Sequence, residues 1–240
     1  MNTRHRPLTD EGIGYLVGFF FFIFMFFVIY NYFYNKKRKQ MIGGYCRQYG
    51  LKYTETSDAI LGCDEKFDMT TRGQNQSYDH IMSGTRGDYE FQILDFYYTV
   101  EKRNPRHGLT TYNEEVIETF CFLKKKGKAL PHFYMVEKGM LESDVDFLPK
   151  IEGIKNIDFP LEDEFATLNV RSVNEDEIKK YFNKQRLDSL NNCFKDVPAS
   201  DYDLIYEAKG DCLLVAKLAV LSVKDRLQML ETALKVFEAM

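Results

Sequence analysis

A long run of uncharged, mostly apolar residues lies near the N-terminus, from Gly12 to Tyr34. A hydrocarbon core about 30 Å thick is crossed by ~20 helical residues, each rising 1.5 Å. In lipid the backbone must satisfy its own hydrogen bonds, so a span is helical even when it is rich in phenylalanine. The pattern predicts a transmembrane helix over residues 13–34, after a short tail over residues 1–12.

Two other interpretations of this run are a cleaved signal peptide and a buried core helix. The run exceeds the ~7–15 apolar residues of a signal-peptide core, and no small-x-small cleavage site follows it. Its phenylalanines lie on every face of a helix, which a core helix does not need. Tyrosines stand at both ends, as in an interfacial aromatic belt. The spanning helix is therefore preferred.

Helical spacing continues beyond the span. Met41, Ile42, Tyr45 and Tyr49 recur on one side of a helix, and Gly50 suits the residue that ends one. These positions predict a juxtamembrane basic helix over residues 35–50, followed by a soluble domain over residues 51–240.

Alternation of apolar and polar residues predicts strands in this domain. In the run 89–101, Phe91, Ile93, Asp95 and Tyr97 share one face, which makes Asp95 a polar residue on an apolar face. Runs rich in glycine, asparagine or proline predict loops over residues 70–78 and 103–112. The predicted strands are 51–54, 80–83, 89–101, 115–124, 132–137, 165–170, 203–208 and 212–218.

Capping residues and helical periodicity predict the remaining helices. Asn174 with Glu177, and Ser222 with Asp225, have the spacing of N-terminal caps. The predicted helices are 140–147, 174–182, 187–194 and a C-terminal helix with an apolar stripe of Val223, Leu227, Leu230, Leu234 and Phe237.

Strands and helices do not alternate regularly, so a parallel doubly wound sheet is disfavoured. The order predicts an α+β protein. One N-terminal transmembrane helix is followed by a mixed domain with a mainly antiparallel sheet and a C-terminal amphipathic helix.

Charge is unevenly distributed along the 240 residues. The chain has 32 basic and 36 acidic residues, of which six basic and two acidic precede residue 41, leaving a net charge of -8 beyond it. Nucleic-acid binding depends on basic surfaces that contact phosphates. An acidic domain therefore predicts no nucleic-acid partner.

The basic cluster Lys36–Lys39 follows the span directly, whereas only Arg4, Arg6 and the amino terminus precede it. Basic flanks tend to stay in the cytoplasm. The predicted arrangement is a single-pass membrane protein with the C-terminal domain cytoplasmic. The five cysteines are odd in number and unclustered, which favours reduced thiols on that side.

No motif for chemistry stands out, so we assign no catalytic, cofactor-binding or metal residue and no cofactor. Spacings typical of zinc ligands, nucleophile elbows and phosphate loops are absent. Carboxylates cluster at Asp64, Glu65 and Asp68 and again over residues 162–164, where solvated loops are the simpler interpretation.

Spaced blocks of the soluble part resemble a bacterial domain-of-unknown-function family of membrane-anchored proteins. The family has an FDY-x-Y-like strand followed by an LP-x-F block, to which residues 94–98 and 130–133 are similar. Further similar blocks are 157–159 with Phe165, and 174–182. The family's Gln-Thr-Val strand corresponds to Glu118-Thr119-Phe120 here, so Glu118 replaces the usual glutamine. Phe96 also departs from the pattern, because it stands where the family has its aspartate-tyrosine pair. The resemblance implies a membrane anchor, in a bacterial inner membrane, and a mixed domain, and it implies no activity.

The resulting hypothesis is a single-pass, membrane-anchored protein of unknown function, anchored in the lipid bilayer by its N-terminal helix. Its cytoplasmic domain would be a non-catalytic interaction module for a protein partner at the membrane. One alternative is an enzyme whose site the fold assembles from Asp95, His132 or Cys121. Another is a self-associating structural protein, with a homodimer through the GxxxG of Gly14 and Gly18.

Overall fold

The computed structural model describes residues 10–57, 60–61, 66–103, 111–137, 152–159, 168–195 and 204–240, with side chains from Tyr15 onward. The chain divides into two units, Met1–Gly44 and Tyr45–Met240. The first unit contains most of helix α1, which runs over Asp10–Gln48. Every residue from Tyr15 to Lys37 is exposed, and the helix is long and apolar enough to cross a membrane.

The second unit is built on one sheet, whose strands lie in the order β1-β2-β3-β4-β9-β8-β5-β7-β6. All pairings between the described strands are antiparallel. The α+β prediction is therefore confirmed. The strands are β1 (Lys52–Ser57), β2 (Gln74–Arg86), β3 (Tyr89–Arg103), β4 (Thr111–Lys124), β5 (Leu130–Glu137), β6 (Lys155–Asn156), β7 (Leu168–Ser172), β8 (Leu204–Gly210) and β9 (Cys212–Lys217).

The described residues of this unit also form three further helices, α2 (Glu175–Tyr181), α3 (Lys184–Lys195) and α4 (Val223–Ala239). The predicted caps form, because the Asn174 side chain accepts from the Glu177 N–H at 3.3 Å and the Ser222 hydroxyl accepts from the Asp225 N–H at 3.3 Å. The predicted helix over residues 140–147 lies outside the described residues.

Both faces of the central strands are buried. On one face, here called the turn face, even-numbered residues of β3 and β4 such as Phe96 and Phe120 form an apolar core. A short 3₁₀ turn, Asp68–Thr71, packs on this face. The opposite face, here called the helix face, packs against the helices, as the contact of Phe133 with Phe182 shows (ring centroids 4.9 Å apart). Strands that are covered on both faces have apolar residues at odd and even positions alike, so their sequences do not alternate between apolar and polar residues.

Two predictions about local structure need correction. The predicted loop 70–78 is wrong, because β2 already begins at Gln74. The first residues of β2 are exposed, so a polar run is compatible with a strand there. The predicted stripe of α4 is correct only for its second half: Val223 and Leu227 are half-buried, while Arg226 between them is fully buried.

Candidate functional site

Residues 66–73, which lead into β2, lie across the turn face and are held there by two buried glutamates. Phe67 packs its ring against Phe122, with centroids 5.8 Å apart. Glu207 of β8 contacts the beginning of the 3₁₀ turn, and Glu118 of β4 contacts Arg72 just after it. Each glutamate is the centre of a polar cluster in an otherwise apolar core.

The first cluster contains Asp68, His132, Tyr134 and Glu207. The Glu207 carboxylate accepts from the backbone N–H of Asp68 at 2.7 Å and from that of Met69 at 2.9 Å. His132 Nε2 lies 3.2 Å from Glu207 Oε1 and 3.5 Å from Asp68 Oδ2. The Tyr134 hydroxyl donates to Asp68 and lies 3.4 Å from Glu207 Oε1.

Two strands, β5 and β8, and the 3₁₀ turn position this cluster. His132 and Tyr134 are alternate residues of β5, and Tyr134 pairs with Glu207 across the ladder to β8. Asp68 arrives from the 3₁₀ turn. Glu207 is fully buried, whereas the side chains of Asp68 and His132 are 29% and 32% exposed. Burial, together with the two carboxylates, raises the pKa of Tyr134, so its hydroxyl keeps its proton and acts as a donor.

The second cluster contains Arg72, Tyr98 and Glu118. Glu118 Oε1 accepts from the Tyr98 hydroxyl at 2.7 Å and from Arg72 Nη1 at 3.2 Å. Burial raises the pKa of Glu118, against the opposing effect of Arg72. Arg72 Nε and Nη2 and Glu118 Oε2 have no hydrogen-bond partner within the part of the chain that the structure describes. Buried polar atoms of this kind are normally satisfied by water or a ligand.

A third polar cluster lies on the helix face. Asp95 of β3 and Arg226 of α4 form an ion pair in which both side chains are fully buried. Arg226 also donates to the carbonyl of His80 at 3.1 Å. The Thr119 hydroxyl accepts from the Leu221 N–H at 3.0 Å. These bonds fasten α4 and its leading loop to the sheet, so Asp95 has a structural role.

The residues proposed for an enzymatic site do not come together. Asp95 and Cys121 belong to the helix face, whereas His132 belongs to the turn face. Cys121 is fully buried, and burial raises its pKa, which disfavours a reactive thiolate. These three residues therefore do not line one common site.

The carboxylate clusters noted in the sequence contribute one residue to the polar clusters of the structure. Of the carboxylate clusters, only Asp68 lies within the described residues, and it joins His132. Glu207 and Tyr134 were missed by sequence reasoning. A signal existed for Glu207, since it is the lone acidic residue of the mostly apolar strand β8.

The cysteines also differ from the prediction. Cys46, Cys121 and Cys193 are free thiols. Cys212 is disulfide-bonded, and Cys63 lies outside the described residues. The expectation that every thiol is reduced is therefore wrong for Cys212.

Comparison with known proteins gives a fold but no family. No family model matches the chain, and no curated protein matches it. A similar solved structure is the crystal structure of the mycobacterial trehalose monomycolate transport factor A, TtfA, with a TM-score of 0.57. The two are 15% identical, and the match covers 85% of this chain and 92% of that chain. At this identity the likeness shows a shared fold alone.

Proposed function

We propose that this protein is a single-pass membrane protein of a bacterial inner membrane, whose C-terminal domain binds a protein partner there without catalysing a reaction. The observation that carries the proposal is the exposed apolar helix. Its residues from Tyr15 to Lys37 are all exposed, and more than twenty consecutive residues without charge have a favourable environment only in lipid.

Contacts inside the domain hold its elements together. The pair Asp95 and Arg226 fastens α4, and Glu207 holds the 3₁₀ turn through two backbone N–H groups. These polar groups stabilise the fold. The neighbour's name describes a transport factor, which suggests a component of a membrane transport system as the partner.

A crosslinking pull-down tests the proposal. The full-length protein is crosslinked in native membranes, alongside a copy whose residues 13–34 are replaced by an unrelated transmembrane helix. We expect one integral membrane protein to be recovered with both. Loss of the partner on exchange of the span would place recognition in the helix, and recovery of no other protein would contradict the interaction module.

The domain is proposed to face the cytoplasm, because Lys36–Lys39 follow the span. The disulfide at Cys212 argues for the opposite side, since disulfides persist in oxidising compartments. C-terminal fusions to green fluorescent protein and to alkaline phosphatase measure the side directly. We expect fluorescence without phosphatase activity; the reverse would place the domain outside the cytoplasm.

Self-association through Gly14 and Gly18 is a second part of the proposal. A Cβ added at Gly18 meets nothing within 4 Å, so substitution leaves the monomer undisturbed. We expect Gly18→Leu to reduce the crosslinked dimer in membranes, because a large side chain prevents close helix approach. Val17→Leu, on a neighbouring exposed position, is the control. Equal dimer in both variants, or none in the parent, would exclude this interface.

A further inference from the structure

The described residues of the sheet contain three fully buried carboxylates, and they are compensated differently. Asp95 is paired with Arg226, and Glu118 with Arg72. Glu207 has no lysine or arginine within ion-pair distance in the described part of the chain. Burying a carboxylate without a cation is costly. The surroundings of Glu207 therefore favour a positive charge.

The atoms around Glu207 have the identities and spacing of metal ligands. His132 Nε2, one oxygen of Asp68 and one oxygen of Glu207 all lie within 4.8 Å of one another. The imidazole nitrogen is 3.2 Å from Glu207 Oε1 and 3.5 Å from Asp68 Oδ2. A tetrahedral zinc ion with bonds of about 2.0–2.1 Å has neighbouring ligands roughly 3.3–3.4 Å apart. The two distances from His132 Nε2 to the carboxylate oxygens are therefore close to the spacing of tetrahedral zinc ligands.

Outer contacts hold the two carboxylates in place. Backbone N–H groups of Asp68 and Met69 donate to Glu207, and the Tyr134 hydroxyl donates to Asp68. Hydrogen-bonded ligating carboxylates are a common feature of metal sites. Asp68 and His132 are about 30% exposed, so an ion can enter from solvent. Three protein ligands leave a fourth position for water.

We propose that Asp68, His132 and Glu207 bind one divalent transition-metal ion, with Zn²⁺ as the best match to a nitrogen and two carboxylate oxygens. The ion lies between the imidazole Nε2 and the two carboxylates, which are 3.2 Å and 3.5 Å from that nitrogen. It joins the 3₁₀ turn to β5 and β8 and neutralises the buried Glu207. The proposal goes beyond the interaction function and does not depend on it.

The test uses the full-length protein in detergent micelles, purified with a tag that contains no histidine and treated with a chelator. It is then titrated with ZnCl₂ and, separately, with CoCl₂. We expect one ion per chain, and visible absorption of tetrahedral Co²⁺. The unfolding midpoint should rise by about 5–10 °C at a hundredfold excess over the dissociation constant.

Variants decide whether this cluster is the site. We expect His132→Asn and Asp68→Asn to abolish stoichiometric binding, while both still unfold cooperatively without metal because each side chain is partly exposed. His80→Asn and Asp88→Asn are matched controls outside the cluster and should bind as the parent does. The proposal is overturned if the parent binds no ion, or if the His132 and Asp68 variants bind Zn²⁺ as tightly as the parent.

Discussion

Buried acidic residues of the sheet have different consequences according to the partner that each one meets. Asp95, Glu118 and Glu207 are all fully buried. Each stands at an alternate position among apolar neighbours, which the sequence shows. The partners Arg226, Arg72 and His132 come from other elements, and nothing in the local pattern identifies them.

Replacing Glu118 by glutamine should flatten the pH dependence of stability. Burial raises the pKa of Glu118 above its ordinary value, so the folded state binds more protons than the unfolded state between the unfolded and the folded pKa. Its contribution to stability is therefore complete below the unfolded pKa and is lost as pH rises through the folded pKa. The measurement is urea unfolding of both proteins across pH 4–8. If the parent instead gains stability relative to the glutamine variant as the pH rises from 4 to 8, the assignment is wrong.

Breaking the buried ion pair should be far more costly than breaking an exposed one. Arg226→Met leaves the Asp95 carboxylate buried without a cation, and we expect a loss of ~3–5 kcal/mol in the free energy of unfolding. The control is Arg86→Met. Arg86 of β2 also forms an ion pair between the sheet and α4, with Glu231, but both of these side chains are about half exposed. That variant should lose less than ~1 kcal/mol.

The double variant of the buried pair gives a further check. Asp95→Asn combined with Arg226→Met should lose less than the sum of the two single changes, because each single change leaves one buried charge unpaired and the double variant leaves none. Additive losses would mean that the two side chains do not interact.

At the scale of elements, the 3₁₀ turn depends on a glycine that leads from it into β2. Gly73 has φ of +64°, and a Cβ there would lie 2.5 Å from Tyr98 Cδ2 and 2.6 Å from the carbonyl oxygen of Thr99. Backbone strain and a collision with β3 therefore coincide at this position. The close approach sets where the turn lies over the strand.

Gly73→Ala should consequently destabilise the protein much more than an alanine at a comparable open turn. Gly87 has φ of +59°, and a Cβ there meets nothing within 4 Å. We expect Gly87→Ala to cost ~1 kcal/mol from the left-handed conformation, and Gly73→Ala at least ~2 kcal/mol more from the clash. Thermal or urea unfolding of the two variants measures the difference. Equal losses would show that β3 does not approach Gly73 so closely.

At the scale of the whole molecule, the proposed membrane attachment depends on α1, which is long and apolar enough to cross a membrane. We expect the protein to remain with membranes after alkaline carbonate extraction. Phe22→Asp with Phe26→Asp should release it, because each aspartate costs ~3 kcal/mol at the centre of a span. Val173→Asp with Val220→Asp, at exposed positions of the domain, is the control and should stay membrane-bound. Release of the parent would contradict the anchor.

The sequence by itself determined the apolar span, most strands, the capped helices and the α+β class. These features depend on periodicity and on contacts between residues close in the chain. It mispredicted the start of β2, because polar residues are compatible with an exposed strand end as well as with a loop.

Only the tertiary structure decided which buried acid meets which partner. Asp68, His132 and Glu207 lie up to 139 positions apart, and they meet because β5 pairs with β8 while the 3₁₀ turn crosses the same face. The pairing of the strands also placed His132 on the turn face, whereas Asp95 and Cys121 lie on the helix face. Such neighbours depend on which strands pair and on the face each residue occupies, and no local pattern of residues encodes that pairing.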